Sequence, residues 1–249
     1  MDEEYYLTEE QRIQQEVQKE EKKRLKRELR YQRRWLRRAV IAGIILLIVF
    51  FCIALKIREL NTEQRKPVIY LYPEEPTEVF VRLEHNGELT TTYPQYLDGW
   101  HVIAEPDGTL TDAAGMTYNY LYWEGKSNVE YDMSAGFCVE GRHVAEFLEK
   151  ALFELGLTRR EANEFIVYWL PLMENNRYNV ISFQTEAYTE NSKLIIHPEP
   201  DTMIRVFMAW YGSDKPVKIQ EQELTALERK GFTVVEWGGS ELNFLQNEQ

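Results

Sequence analysis

The sequence predicts one transmembrane helix followed by a single α+β domain with a mainly antiparallel sheet and a central helix pair. Three observations predict it. Ala39 to Leu55 (AVIAGIILLIVFFCIAL) is a block of 17 residues without a charge. From Pro67 onward, β-branched and aromatic runs recur between turn residues. Between two sets of such runs, apolar residues from Val144 to Leu170 fall at helical spacing. Strands, then helices, then strands again is the order of an α+β domain rather than of alternating βαβ units.

The 249 residues carry a net charge of −12, unevenly spread. Residues 1–55 hold 12 basic and 9 acidic groups, and residues 56–249 hold 17 basic and 32 acidic ones. The apolar block lies at this divide. At about 1.5 Å per residue it spans about 26 Å, against a hydrocarbon core of about 30 Å. Arg38 and Lys56 can snorkel and Trp35 can anchor at an interface, which makes up the shortfall. Residues 19–38 contain eleven Lys or Arg and three Glu, so the positive-inside bias puts the N-terminus in the cytoplasm. A basic region of 38 residues is too long for a cleaved signal peptide. Val49, Phe50 and Phe51 are too bulky to precede a lipoprotein cysteine at Cys52.

Residues 1–38 are expected as a charged cytoplasmic helix, since they lack Gly and Pro and are rich in Glu, Gln, Lys and Arg. Ile13, Val17, Leu25, Leu29 and Leu36 do not keep one heptad, because Glu20 and Arg24 fall where the seam from Ile13 and Val17 continues. The basic cluster beside the apolar block is read as setting topology and attracting anionic lipid, with no nucleic acid expected as partner. Residues 56–66 read as a polar linker, and 67–249 as the extracytoplasmic domain.

Within that domain Pro67–Pro73, Glu78–Glu84, Trp100–Glu105 and Thr117–Glu124 are expected strands, with Asn86-Gly87 and Asp107-Gly108 as turns. Val144, Phe147, Leu148, Ala151, Leu152 and Leu155 mark a helix capped by Gly156. Thr158 and Glu161 form a capping box that opens a second helix, which Pro171 ends or kinks. Tyr178–Phe183, Met203–Trp210 and Phe232–Trp237 are further strands, and Gln222–Lys230 a short helix. Cys138 has no partner for an intrachain disulfide, because Cys52 lies in the apolar block.

The segments KPVIYLYP (66–73), YPQYLDGW (93–100), NEFIVYWLP (163–171), YNVISFQ (178–184) and GFTVVEWGG (231–239) resemble a family of bacterial membrane-anchored or secreted proteins. The resemblance covers nearly all of residues 66–239. It implies a bacterial extracytoplasmic domain and brings no catalytic residue with it.

The residues themselves offer few catalytic patterns. Phosphate-cradling loops, GxGxxG, GxSxG, HExxH and CxxC are all absent, and no cofactor is expected. Cys138, between Phe137 and Val139, reads as a small hydrophobe. His197-Pro-Glu-Pro-Asp201 reads as a stiff polar loop, not a metal site, for want of a second His at ligand spacing. As one strand, Thr117–Glu124 puts Tyr118, Tyr120, Tyr122 and Glu124 on one face. Three tyrosine hydroxyls and a carboxylate suit a wet groove better than a core. Glu164 lies on an otherwise apolar helix, so burial favours its protonated form and makes it the second carboxylate candidate. Asp201 and Glu236 rank behind it.

These features give three expectations. The first is a binding or interaction domain at the membrane, whose partner is a cell-envelope glycan or another envelope protein, with Tyr118, Tyr120, Tyr122, Glu124 and Glu164 as ligand residues. The second is an envelope glycan hydrolase using paired carboxylates. The third is a single-pass membrane sensor.

Overall fold

A computed structural model of the chain describes residues 9–59 and 62–242, and the side chains of 18–53 and 62–242. The expectations for residues 1–8, 60–61 and 243–249 lie outside the described residues. The chain divides into two compact units near Arg58.

The first unit is one uninterrupted helix, α1, Glu9–Glu59. Its 51 residues extend about 76 Å at the α-helical rise. Every described side chain from Gln18 to Ile53 is exposed. This helix is long and apolar enough to cross a membrane.

The second unit is an α+β domain of three layers. Its strands are β1 Thr62–Tyr72, β2 Thr77–His85, β3 Gly87–Tyr93, β4 Trp100–Ala104, β5 Leu110–Asp112, β6 Thr117–Tyr118, β7 Leu121–Ser127, β8 Phe137–Glu140, β9 Tyr178–Gln184, β10 Ser192–His197, β11 Thr202–Ser213 and β12 Thr233–Glu241. A seven-stranded sheet in the order β3-β7-β1-β12-β11-β9-β8 is the middle layer. On one face lie α2, Val144–Glu154, and α3, Arg159–Met173, and on the other a five-stranded sheet, β10-β2-β4-β5-β6. Pairing is antiparallel throughout the named strands except between β11 and β12.

Burial follows the pleat. Val68 and Tyr70 of β1 join Val144, Leu148, Phe165 and Trp169 of the helices in one core. Ile69 and Leu71 join Val79, Val81, Trp100 and Ile196 of the small sheet in another. β1 and β12 are buried on both faces, and so they read as unbroken apolar runs without alternation. β2 keeps one face in solvent and alternates.

The two long helices of the domain begin and end by local chemistry. Thr158 accepts from the Glu161 N–H, and Glu161 accepts from the Thr158 N–H at 2.7 Å, completing the capping box. α2 ends in a Schellman turn. Gly156 takes a positive φ of 86°, Leu157 donates to the Leu152 carbonyl and Gly156 to that of Phe153. The corner between them is pinned by Arg229, which donates to buried Glu161 and to the Gly156 carbonyl. Pro171 lies inside α3, which continues to Met173.

Three expectations are corrected. β1 begins at Thr62, so the polar linker is helix to Glu59 and strand from Thr62. Tertiary pairing overrides its composition: buried Gln64 donates to Ser127 Oγ at 2.9 Å. Residues 222–230 form no helix. Gln222 instead uses its side-chain amide to bond both the N–H and the carbonyl of Phe183, as a neighbouring strand would. Residues 117–124 are two strands in different sheets, because the chain crosses between layers at Asn119–Tyr120. A short helix, α4, Glu186–Asn191, was not foreseen.

Polar groups also link the two sheets. Asn191 donates to Ser127 Oγ and Ser192 Oγ, and Ser192 Oγ lies 3.0 Å from His85 Nδ1. His85 Nε2 is 3.3 Å from the Lys126 carbonyl, which fits a neutral ring with its proton on Nε2. Burial holds this imidazole below its ordinary value of 6.5, against a smaller opposing effect of the Lys126 carbonyl. The unfolded chain then binds a proton that the folded chain refuses, so stability is full above about pH 6.5 and falls as the pH drops below it. Urea midpoints of the wild type should fall between pH 7 and 5, and His85→Gln should flatten that fall. An unchanged slope in the variant would contradict the assignment.

Candidate functional site

The site candidate lies on the helix-facing side of the large sheet, where β1, β7 and α3 meet. β1 bulges between Arg65 and Val68. At the bulge Lys66 takes φ 58°, the left-handed region seldom used by a side-chain-bearing residue. Its N–H therefore leaves the ladder and donates to Glu124 Oε1 at 3.1 Å. Its ammonium lies 3.4 Å from the Tyr120 hydroxyl and 5.2 Å from the ring centres of Tyr120 and Tyr122. Tyr168, from α3, closes a third side at 5.9 Å. Each exposed cation–π contact of this kind contributes about 0.5–1 kcal/mol.

Glu164 lies one helical turn before Tyr168. It accepts from the Tyr70 hydroxyl at 2.9 Å and faces Arg160 at 3.8 Å. Tyr70, itself buried, packs edge-on against Tyr120 with centres 5.4 Å apart. Lys66, Tyr120, Tyr122, Glu124, Glu164 and Tyr168 are all half-buried, so each keeps some surface in solvent.

The hydroxyls of Tyr70, Tyr122 and Tyr168 are held protonated. Burial pushes Tyr70 well above the ordinary tyrosine range, and the Glu164 carboxylate adds to it. Burial does the same at Tyr122, followed by the nearby Glu124 carboxylate. Tyr168 is raised by burial and then by Glu124. The patch thus offers aromatic faces, neutral hydroxyl donors, two oriented carboxylates and one ammonium.

Four of the five expected ligand residues, Tyr120, Tyr122, Glu124 and Glu164, lie in this region. Tyr118 does not. It belongs to β6 of the other sheet, donates to Asp112 Oδ2 at 2.8 Å and packs edge-on against Tyr93. The crossover at Asn119–Tyr120 breaks the strand periodicity that placed it with the others. Lys66 and Tyr168 were not foreseen as site residues. A lysine before proline carries no sign of a bulge, and Tyr168 stood among apolar helix residues.

The remaining candidates have structural roles. Asp201 accepts from the Phe232 N–H at 2.8 Å, against Gly231, where a Cβ would collide with the Asp201 carboxylate. Cys138 is half-buried and its Sγ accepts from the Val217 N–H. Glu236 is fully buried and accepts from Arg205 Nε at 2.6 Å and Trp123 Nε1 at 3.1 Å. Arg205 also donates to the Ser192 carbonyl and lies 4.7 Å over the Tyr188 ring. Among the described residues no group of three His, Cys, Asp or Glu could hold a metal ion.

A stretch of 63 residues, 24% of this chain, is 49% identical to a Butyrivibrio fibrisolvens protein described as an uncharacterized protein in the bglA 3′ region. The match spans 65% of that protein's length. No family model matches the chain, and no solved structure does.

The electrostatic reading of the patch can be tested by alkaline titration of tyrosine absorbance. Glu124→Gln removes a negative charge that opposes tyrosinate formation at Tyr122 and Tyr168. Part of the high-pH transition should move to lower pH in the variant, by less than the shift that burial causes. No movement would mean that Glu124 does not face these hydroxyls.

Proposed function

We propose that this chain is a single-pass membrane protein with a cytoplasmic N-terminus, and that residues 62–242 form an extracytoplasmic, non-catalytic binding module for a polar ligand of the cell envelope, a glycan. The observation that carries the binding reading is the lysine-centred patch of Tyr120, Tyr122 and Tyr168 with Glu124 and Glu164 beside it. A sugar ring has apolar C–H faces and polar edges. Aromatic faces take the first, and hydroxyls, carboxylates and an ammonium take the second. Both carboxylates are already held by protein donors, Glu124 by the Lys66 N–H and Glu164 by Tyr70. That suits fixed acceptors better than the free acid and base that glycoside hydrolysis requires.

The membrane orientation rests on charge. Eleven basic residues crowd positions 19–38 and four follow the span between Lys56 and Lys66. Protease added to intact spheroplasts should digest the C-terminal domain and spare the N-terminal tail. A protected C-terminal domain would overturn the orientation.

The binding reading is tested with Tyr120→Ala in the full-length chain, using solubilised cell-wall glycan fragments as the probe. Tyr120 is half-buried, so its removal should weaken binding while leaving a cooperative unfolding transition near that of the wild type. In a purely structural role the same truncation would cost roughly 3–5 kcal/mol, as for a buried aromatic, and binding would track folding alone. Wild-type protein that ignores the fragments would reject the glycan.

A further inference from the structure

The helix α1 presents an unpartnered apolar seam over its basic half. The side chains of Leu25, Leu29 and Leu36 stand in the open there. They follow a frame different from that of Ile13 and Val17. With Leu29 and Leu36 at position a of the heptad and Leu25 at d, the same frame places Gln32 at d, then Ala39, Gly43, Leu46, Phe50 and Ile53. From Leu25 to Ile53 no charged residue falls on this seam. Ten of the eleven basic residues of 19–38 lie off the seam, and the eleventh, Lys22, takes the a position one heptad before Leu29, where a single Lys is tolerated at a cost in stability.

We propose that α1 pairs with the α1 of a second copy of this chain, as a parallel two-stranded coiled coil through residues 18–36 that continues along Ala39 and Gly43. The charge pattern selects this occupant. In the frame, Lys19, Lys26 and Arg33 take the e positions, and Glu21 and Glu28 take g. In a parallel pair each g residue meets the e residue five positions further along the other helix. Glu21 therefore meets the partner's Lys26, and Glu28 meets the partner's Arg33, twice over by symmetry. An antiparallel pair would instead set Lys and Arg against one another, and Glu against Glu. Gln32 at d is the kind of buried polar residue that holds one register at some cost in stability.

The surface has the matching relief. An open hollow on α1 is bordered by Tyr31 and Trp35 and, on the seam side, by Leu29, Gln32, Arg33 and Leu36. Those four are the a, d, e and next a positions, the set that receives a d-position side chain from a parallel partner. Further along, Gly43 has open space around it, and Ala39 with Gly43 allows close approach of two helices in lipid.

The test is cysteine cross-linking of the full-length chain in mild detergent, with Cys52→Ser and Cys138→Ser as background. Single cysteines go to the seam (Leu29→Cys or Leu36→Cys) or to the outward f positions (Arg27→Cys or Arg34→Cys). A disulfide needs Cα atoms within about 7 Å. Oxidation should convert the seam variants to a covalent homodimer and leave the outward variants monomeric. Failure of both seam variants to cross-link, equal cross-linking at outward positions, or a covalent adduct with a different protein would each overturn the proposal. Reversing Glu21→Lys and Glu28→Lys should abolish cross-linking at Leu36→Cys, and adding Lys26→Glu and Arg33→Glu should restore it. Cross-linking indifferent to these reversals would overturn the parallel register.

Discussion

The two sheets of the α+β domain meet around one buried ion pair, Arg205 with Glu236. Both residues lie on neighbouring strands of the large sheet, directly paired in register. Both point toward the small sheet. Glu236 is fully buried and the Arg205 side chain is 8% exposed, so neither charge has water to fall back on. Each must be satisfied by the protein or the layer is unstable. Trp123 from β7 bonds the carboxylate, and the Ser192 carbonyl at the start of β10 receives the guanidinium. Trp123 shares the large sheet with the pair, and the bond from Arg205 to Ser192 carries it across to the small sheet.

The layering positions the rest. With the small sheet covering one face of β1, β7 and β12, the opposite face is left to α2 and α3. The helix pair does not reach the whole of it. At the β1–β7 side the sheet ends its cover with half-buried tyrosines rather than aliphatic residues, and there the Lys66 bulge turns an ammonium into the gap. The candidate site is therefore the margin of a core. Its rings pack on Tyr70 and α3 below and meet solvent above. The same strand, β7, carries Trp123 toward the ion pair and Tyr122 and Glu124 toward the patch, by simple alternation.

Much of this was legible from periodicity. The apolar block, the helix pair with its capping box, and the alternating strand β2 all depend on neighbours close in sequence. The doubly buried strands were legible as elements, because a run such as PVIYLYP or TVVEW has no polar face to spare. What escaped was set by distant partners. The crossover at Asn119–Tyr120 depends on two sheets claiming adjacent halves of one apolar-looking run, and it moved Tyr118 out of the expected ligand set. Gln222–Lys230 had helical composition but found its hydrogen bonds on Phe183, Thr202 and Glu161 instead. The Lys66 bulge has no local signal. Arg205 and Glu236 did leave one, a single charge inside each of two apolar runs, MIRVFMAW and TVVEWGG. Opposite charges in two central strands are themselves a prediction of pairing.

The α+β domain depends on each charge of this buried pair being satisfied by the other, and a double-mutant cycle tests that dependence most directly. Urea unfolding of Glu236→Gln and Arg205→Met should each show a loss of about 3–5 kcal/mol, because each leaves a partner buried and unsatisfied. The double variant, with neither charge left to satisfy, should lose far less than the sum. Single losses below about 1 kcal/mol, in the range of exposed pairs, or strict additivity in the double variant, would contradict the account.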